Sequence, residues 1–483
     1  MNEKSTGNKV IINLIWRLLE RAGVQGLQFV IGIILARVLF PDDYGVIALI
    51  NAFVLIAVIL VQNGFHTALI QKKEADDTDI SSVFYINLML AATLYTLLYF
   101  TSPFIAKYLD QPLFVPVIRV LSVILFFGAV NSIQVVILSK NMQFKKFFLG
   151  SIGGSVVSGA LGIYMAYSGY GVWALVWQQI SSQFINIVIL GVMIKWKPKL
   201  VFSFNRLKNL FSYGWKLLSA SLLDGVYHNM YSIVIGKIFN SQTLGLYNRG
   251  EQFPKIIVTN VNVSLQSVML PAMCAEQDDI EKIKAMIRRS VITGSFIVFP
   301  LMIGMAAAAR PLITALLTEK WIAAVPFLQI MCITYALMPV HSVNLQAINA
   351  IGRSDIFLKL EIIKKIIGIS VLCISIPFGI YVMVGLQPVM SVISIVINAY
   401  PNKKFFGYGF KEQLNDFLPT LIISFIMGGF IYLLSFPNWN PWLTLIIQAG
   451  SGIAVYSGLA FIFKFESLNY IANTVKSMFG KTG

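Results

Sequence analysis

The sequence predicts an all-α polytopic membrane protein of about fourteen transmembrane helices: two repeated six-helix lobes and two further C-terminal helices. Three observations predict it. Of 483 residues, 57% are hydrophobic and 12% charged, where soluble domains carry roughly 25% charged residues. Apolar runs near the ~20 residues needed to cross the hydrocarbon core recur along the whole length, and no polar run is long enough for a folded soluble domain. The chain also repeats itself. Trp16-Arg17 returns as Trp215-Lys216, and the run from Leu35 through Arg37 to Gly45 returns as Ile235 through Lys237 to Gly245.

The first span, about residues 11 to 38, follows a short polar tail and is too long for a cleaved signal peptide, so it is expected to be retained. Five more complete the first half, at about 44 to 69, 80 to 101, 115 to 139, 147 to 168 and 171 to 194. The second half follows at about 209 to 238, 244 to 271, 286 to 309, 325 to 350, 357 to 380 and 382 to 400, with the extra pair at about 415 to 436 and 442 to 463. The acidic pairs Asp42-Asp43, Asp76-Asp77 and Asp278-Asp279 stand beside helix starts, where carboxylates favourably meet the helix dipole, and read as caps rather than catalytic pairs. Gly150, Gly154, Ser155, Gly159 and Gly162 make a small-residue face on the fifth span, suited to close helix packing.

The repeat continues past its opening helix. Pro103-Phe104-Ile105 and Val115-Pro116 are matched by Pro311-Leu312-Ile313 and Val325-Pro326, and Val130-Asn131-Ser132 by Val340-His341-Ser342. Matched segments lie about 200 to 210 residues apart, an even number of spans. Both halves therefore point the same way, related by a pseudo-two-fold along the membrane normal, a transporter arrangement with substrate between the halves. The expected divisions are an N-lobe over 1–200, a C-lobe over 201–405, and the last two spans with a cytoplasmic tail over 406–483.

Loop charges alternate. One side collects Lys72-Lys73, Lys140, Lys145-Lys146, Lys195 to Lys208, Lys282 to Arg289, Arg353 with Lys359, Lys364 and Lys365, and Lys403 to Lys411. The other holds Arg37, Lys107, Lys237, Arg249, Arg310 and Lys320. By the positive-inside rule both termini are cytoplasmic, and the net charge of +16 reflects topology rather than a nucleic-acid partner. Cys274, Cys332 and Cys373 show no paired spacing, so no disulfide framework or metal site is implied. Gly480-Lys481-Thr482 lacks the glycine of a phosphate-binding loop, since Val475 stands in its place, and no catalytic motif or cofactor site is present in the sequence.

Ionisable residues inside spans are costly and normally face a bundle interior or water. On the first span Arg17, Arg21, Gln25 and Gln28 share a face, with Glu20 beside them. On the seventh, Lys216, Asp224, His228 and Tyr231 do the same. The eighth is the most polar, with Asn248, Glu251, Gln252, Lys255, Thr259, Asn262 and Gln266 along its length and Arg249 alongside. Spans one and seven are equivalent in the repeat, so their stripes are expected to face one cavity. Arg17, Arg21, Lys216, Arg249 and Lys255 outnumber Glu20, Asp224 and Glu251, so that cavity is net positive and suited to an anion such as a phosphate. The competing assignment is structural: Arg17, Arg21 and Lys216 reach the headgroups while Glu20 and Asp224 pair with them. His228, one turn from Asp224, is a candidate for proton coupling, as are Glu20, Asp224 and Glu251.

Leu35 to Leu39 through Tyr44-Gly45, the run Asn63 to Glu74, Leu244 to Arg249, Thr318 to Trp321 and Val325 to Gln329 together resemble the polysaccharide transporter family of the multidrug, oligosaccharidyl-lipid and polysaccharide exporter superfamily. They are most similar to its colanic-acid and teichuronic-acid exporter branch. The resemblance implies two six-helix lobes in a V, alternating access, and movement of an undecaprenyl-diphosphate-linked oligosaccharide across a bacterial inner membrane. It also implies coupling to a proton or sodium gradient, and as partners the lipid-linked oligosaccharide, membrane lipids, the polysaccharide polymerase and the chain-length machinery. Three other functions compete. A drug or organic-cation antiporter of the same architecture calls for an acidic, aromatic cavity. A membrane polymerase or glycosyltransferase calls for a sizeable extramembrane loop. A non-transporting scaffold leaves the buried charge stripes without a purpose.

Overall fold

A computed structural model describes residues 3–72, 75–437, 439–465 and 467–468. Side chains are described for Trp16 and from residue 22 onward, except Asn63, Gly64 and Tyr213. Among the described residues there are helices and turns and no strand. Two compact units divide the chain, Met1–Gly245 and Leu246–Gly483.

The first unit contains α1 (Glu3–Val38), α2 (Pro41–Gln71), α3 (Asp77–Tyr108), α4 (Phe114–Leu121), α5 (Ile124–Lys140), α6 (Phe144–Tyr167), α7 (Val172–Met193) and α8 (Phe204–Ile238). The second contains α9 (Ser241–Ala275, from Leu246), α10 (Ile280–Ala307), α11 (Ala309–Leu317), a 3₁₀ turn (Glu319–Ala324), α12 (Val325–Ala336), α13 (Met338–Ala350), α14 (Ser354–Ser375), α15 (Ile380–Phe406), α16 (Phe410–Leu433) and α17 (Pro441–Ile462). A helix stands at each of the fourteen expected spans. Among the described residues, eleven segments are long and apolar enough to cross a membrane. The described part of α1, Ala22–Val38, is apolar but shorter than those segments, while polar and charged residues interrupt the apolar runs of α8 and α14.

The fourth span of each half is broken rather than continuous. Between α4 and α5 the backbone tightens, with Val123 N–H donating to Val120 O at 3.2 Å and Leu125 N–H to Ser122 O at 3.0 Å. Between α12 and α13 the break precedes Pro339, which has no N–H to continue the ladder. The acidic pairs cap as expected. Asp76 accepts from Asp79 N–H at 2.9 Å, Asp279 from Lys282 N–H at 3.0 Å, and Asp43 from Phe40 N–H at 3.0 Å.

In the first unit, α6 lies along α7 through its small-residue face. A Cβ on Gly154 would stand 2.8 Å from Ser182 O, so only glycine permits this approach. The other face of α6 receives Ile31 of α1 beside Gly159, and α8 lies along α2. Where α2 and α9 begin, the repeated turns meet each other. A Cβ on Gly45 would stand 1.6 Å from Ser241 O, and one on Gly245 would stand 1.9 Å from Pro41 O. The contact is reciprocal: the residue four before each glycine abuts the other glycine.

At the opposite end of this unit, Lys72 Nζ pairs with buried Asp79 at 2.6 Å and Arg206 with Asp76 at 2.5 Å. Lys199 pairs with Asp77 at 2.6 Å and its N–H donates to Ser81 Oγ at 3.1 Å, while Ser203 N–H donates to Ser82 Oγ at 3.0 Å. The segment between α7 and α8 is thereby fastened to the start of α3.

The second unit is built around α10, which packs on α12, α13 and α16. Its core carries carboxamides. Asn344 Oδ1 accepts from Asn402 Nδ2 at 2.7 Å and from Gln413 Nε2 at 2.9 Å, and Asn344 Nδ2 donates to Gln413 Oε1 at 2.8 Å, all three residues being fully buried. Nearby, Arg288 grips Asp416 with Nε and Nη2, and Tyr408 O–H donates to the same carboxylate at 2.8 Å.

Candidate substrate site

The polar residues of α9 recur at helical steps, so one face of the helix carries nearly all of them. Asn240 Oδ1 accepts from Thr243 N–H at 2.7 Å and starts the helix. Pro254 lies inside it and withholds an N–H from the preceding turn, where Gly250 already packs closely against Phe327 and Leu328.

Glu251 is the centre of the cluster this face makes within the second unit. Its Oε1 accepts from Tyr335 O–H of α12 at 2.7 Å and from Lys255 Nζ at 3.1 Å. The carboxylate is mostly enclosed, whereas the Lys255 side chain is 55% exposed. Arg249 behaves differently. It is buried, donates to Gln252 Oε1 and lies 5.8 Å from the centre of the Trp321 ring. Of the two α9 cations assigned to substrate, Lys255 keeps its charge open and Arg249 is folded into the unit. Aromatic rings continue from there, with Tyr247 edge-on to Phe327 at 6.1 Å, Phe327 stacked on Tyr381 at 5.5 Å, and Gln387 Nε2 donating to Tyr247 O–H at 3.3 Å.

Asn248 and Thr259 are half-buried. Further along, the stripe turns into the unit's own core. Asn262 is 3% exposed, with neither amide atom hydrogen-bonded among the described residues, and Gln266 Nε2 reaches Ser342 Oγ at 3.4 Å.

In the first unit, Lys216, Asp224 and His228 are exposed on α8, with the His228 ring edge-on to Tyr227 at 6.1 Å and Tyr231 half-buried. On α1, Gln25 is half-buried and Gln28 exposed. Arg17, Glu20 and Arg21 lie on α1, and their side chains are outside those described. Trp16 packs on Phe148 at 5.6 Å, with Lys145 Nζ 5.5 Å from its ring centre.

One assignment is corrected. Lys359, Lys364 and Lys365 are counted with the loop charges although the expected span from about 357 already contains them, and α14, which begins at Ser354, holds all three. Lys364 lies ten residues into the helix, about 15 Å at 1.5 Å per residue. It is paired there with Glu361 at 2.5 Å. The Glu-to-Lys step of three residues is the sequence signal for that pair; counting lysines toward topology hides it.

The sequence model of a family described as "Polysaccharide biosynthesis protein" matches residues 34–326. The chain belongs to that family. Among the polysaccharide biosynthesis proteins it resembles are the teichuronic acid biosynthesis protein TuaB of Bacillus subtilis, 25% identical with 83% of this chain and 84% of that one covered, and the lipopolysaccharide biosynthesis protein WzxC of Escherichia coli, 22% identical with 88% of each covered. In fold the chain is similar to the lipid II flippase MurJ in an inward closed conformation, with a TM-score of 0.73 at 18% identity over 94% of this chain and 98% of that one. An inward-facing multidrug transporter of the same superfamily is less similar, at 0.57 and 14% identity over 86% and 97%. This member of the polysaccharide biosynthesis family is thus a multi-pass membrane protein, as expected from its residues. The succinoglycan biosynthesis transport protein ExoT of Rhizobium meliloti, 22% identical with 73% of this chain and 72% of that one covered, is named as a transporter, in agreement with the expectation of a transporter rather than an enzyme.

Proposed function

We propose that the protein is a flippase that moves undecaprenyl-diphosphate-linked oligosaccharide repeat units from the cytoplasmic to the outer leaflet of a bacterial inner membrane, by alternating access, for polysaccharide assembly. Both termini are cytoplasmic in this reading, and the lobes correspond to 1–200 and 201–405 with residues 406–483 outside the repeat. The observation that carries it is the α9 cluster in a chain of this family: an exposed ammonium at Lys255 beside the enclosed Glu251 and Tyr335. A diphosphate needs a cation, and sugar hydroxyls need side chains that donate and accept. Asn248, Gln252 and Thr259 supply the second on the same helix; Arg17, Arg21 and Lys216 are the further cations of the proposed set, and Arg249, buried beside Trp321, is left out of it. The drug-antiporter alternative shares the fold but calls for an acidic site, and the excess of cations speaks against it.

The test is transfer of a short undecaprenyl-diphosphate oligosaccharide across proteoliposomes of the purified protein, with Lys255→Ala and Arg21→Ala at equal reconstitution. Wild type moves the lipid and both substitutions slow it at least about tenfold, the cost of one charge-assisted contact at 1.4 kcal/mol. Transport of an organic cation in place of the lipid would overturn the reading.

A further inference from the structure

Pro103 interrupts the hydrogen-bond ladder of α3, and the two halves mend equivalent interruptions with different side chains. Proline supplies no N–H, so the carbonyl four residues earlier, that of Tyr99, loses its helical partner. Ser102 O–H donates to Tyr99 O at 2.8 Å, and Arg119 of α4 adds a second donor, its Nε lying 3.3 Å from Tyr99 O and 3.1 Å from Ser102 Oγ. The guanidinium carbon stands 4.0 Å from the centre of the Tyr99 ring. At the 210-residue offset that aligns Val115-Pro116 with Val325-Pro326, Arg119 corresponds to Gln329. Gln329 Nε2 donates to Ala306 O at 3.2 Å, where α10 gives way to α11 ahead of Pro311. A neutral amide is enough to satisfy a carbonyl at such a break. The positive charge of Arg119 is surplus to that task.

We propose that Arg119 binds the phosphate of an anionic phospholipid in the leaflet that meets the α3–α4 connection, the outer leaflet in the topology drawn from the loop charges. The site needs the chain to span a membrane and does not need the flippase reading. With Nε committed to the protein, the two Nη groups remain, and among the described residues neither has a hydrogen-bond partner or an ion pair. Arg119 is half-buried, its plane fixed by two hydrogen-bond acceptors and an aromatic ring. A guanidinium held in that way loses little freedom when its fork takes two oxygens of one phosphate.

Depth and surroundings select the occupant. Helix α3 starts at Asp77 among the ion pairs of the opposite membrane face, and Tyr99 stands 22 residues further on, about 33 Å at 1.5 Å per residue. The hydrocarbon core is about 30 Å thick, so the Tyr99 carbonyl and the guanidinium on it lie at its far boundary, the level of lipid phosphates. Tyr99, Phe100 and Phe104 are exposed there, an apolar and aromatic surface of the kind that meets acyl chains and headgroups at a membrane interface. Lys107, two turns beyond Tyr99 on the same helix, is exposed and has no ion pair among the described residues. Asp110, the carboxylate of the α3–α4 connection, is engaged by Lys237 at 3.3 Å. The local charge is therefore positive, which favours a headgroup with net negative charge over one whose phosphate is balanced by choline.

The experiment uses full-length protein, delipidated in detergent and titrated with phosphatidylglycerol or phosphatidylcholine of identical chains, with bound lipids counted by native mass spectrometry. Arg119→Gln installs the second unit's residue and keeps a donor for the Tyr99 carbonyl, so its lipid-free melting temperature stays within a few degrees of wild type. Wild type retains one phosphatidylglycerol more than Arg119→Gln does, and the affinity for that lipid falls about tenfold in the variant, the worth of one charge-assisted contact. Arg119→Lys keeps the cation and loses the fork, and gives the same comparison through a milder change, a loss of about threefold. Phosphatidylcholine distinguishes the proteins far less. Equal phosphatidylglycerol retention in wild type and both variants overturns the proposal. Displacement of the lipid by millimolar inorganic phosphate overturns it as well, since the site would then be one for a free anion. Undecaprenyl diphosphate that displaces phosphatidylglycerol from wild type at substoichiometric amounts would make Arg119 part of the substrate path and overturn the phospholipid assignment.

Discussion

Lys255 and Asp76 show how differently two charged residues act in this chain. Lys255 forms an exposed i,i+4 pair with Glu251, worth only about 0.3–0.5 kcal/mol. Lys255→Ala is therefore expected to leave the melting temperature in detergent within a few degrees of wild type while transport falls, which separates a substrate role from a structural one. Asp76 caps α3, and the Asp79 N–H and then the Arg206 guanidinium hold its carboxyl down to about 2. Its folded value lies below the ordinary carboxylate value near 4, so its contribution is complete above about pH 4 and is lost as pH falls toward 2. Melting curves should accordingly show wild type losing more stability between about pH 4.5 and 2.5 than Asp76→Asn does. A parallel loss in the two proteins would show that the cap carries no such linkage.

Among the elements, the buried carboxamides of α13, α15 and α16 are the most sensitive to substitution. Asn344 exchanges bonds with both Asn402 and Gln413. Asn344→Leu leaves Gln413 Oε1 without its donor, while Asn402 Nδ2 keeps the Asn344 and Asn398 carbonyls and Gln413 Nε2 keeps Tyr408 O, at about 1–3 kcal/mol for the buried oxygen abandoned. Thermal unfolding in detergent should register it as a large drop, and Gln413→Leu in the same background should add less than its separate effect because the network is shared. The caps and the glycine face of α6 were legible in sequence, since dipoles and helical spacing act over a few residues. The breaks between α4 and α5 and between α12 and α13 were not, because apolar composition runs straight through them. Helix α14 shows the same limit. Its lysines match a cytoplasmic loop in composition although the expected span from about 357 contains them, and the helix start at Ser354 puts Lys364 three residues deeper still.

For the whole molecule, the all-α class, the repeat and the family were readable, because hydropathy, loop charge and recurring turns are one-dimensional signals. The candidate site was readable as a set of positions on α9 and not as a set of contacts. Nothing in the spacing distinguishes Lys255, which stays open, from Arg249, which is taken into the unit beside Trp321. Orientation is open to direct measurement. In a cysteine-free background on intact cells, an impermeant maleimide applied from outside should label Ser168→Cys and spare Asn141→Cys, both exposed and beside opposite ends of α6. The opposite labelling would invert the topology drawn from the loop charges.

Pro41, Gly45, Ser241 and Gly245 make a contact that is its own mirror under exchange of the repeats. Self-complementary contacts of that kind are the signature of a two-fold homodimer at its axis. Here both turns lie on one polypeptide, within the first unit. Any side chain at Gly45 or Gly245 strikes a carbonyl of the other turn, so a substitution at either glycine forces both helix starts to give way.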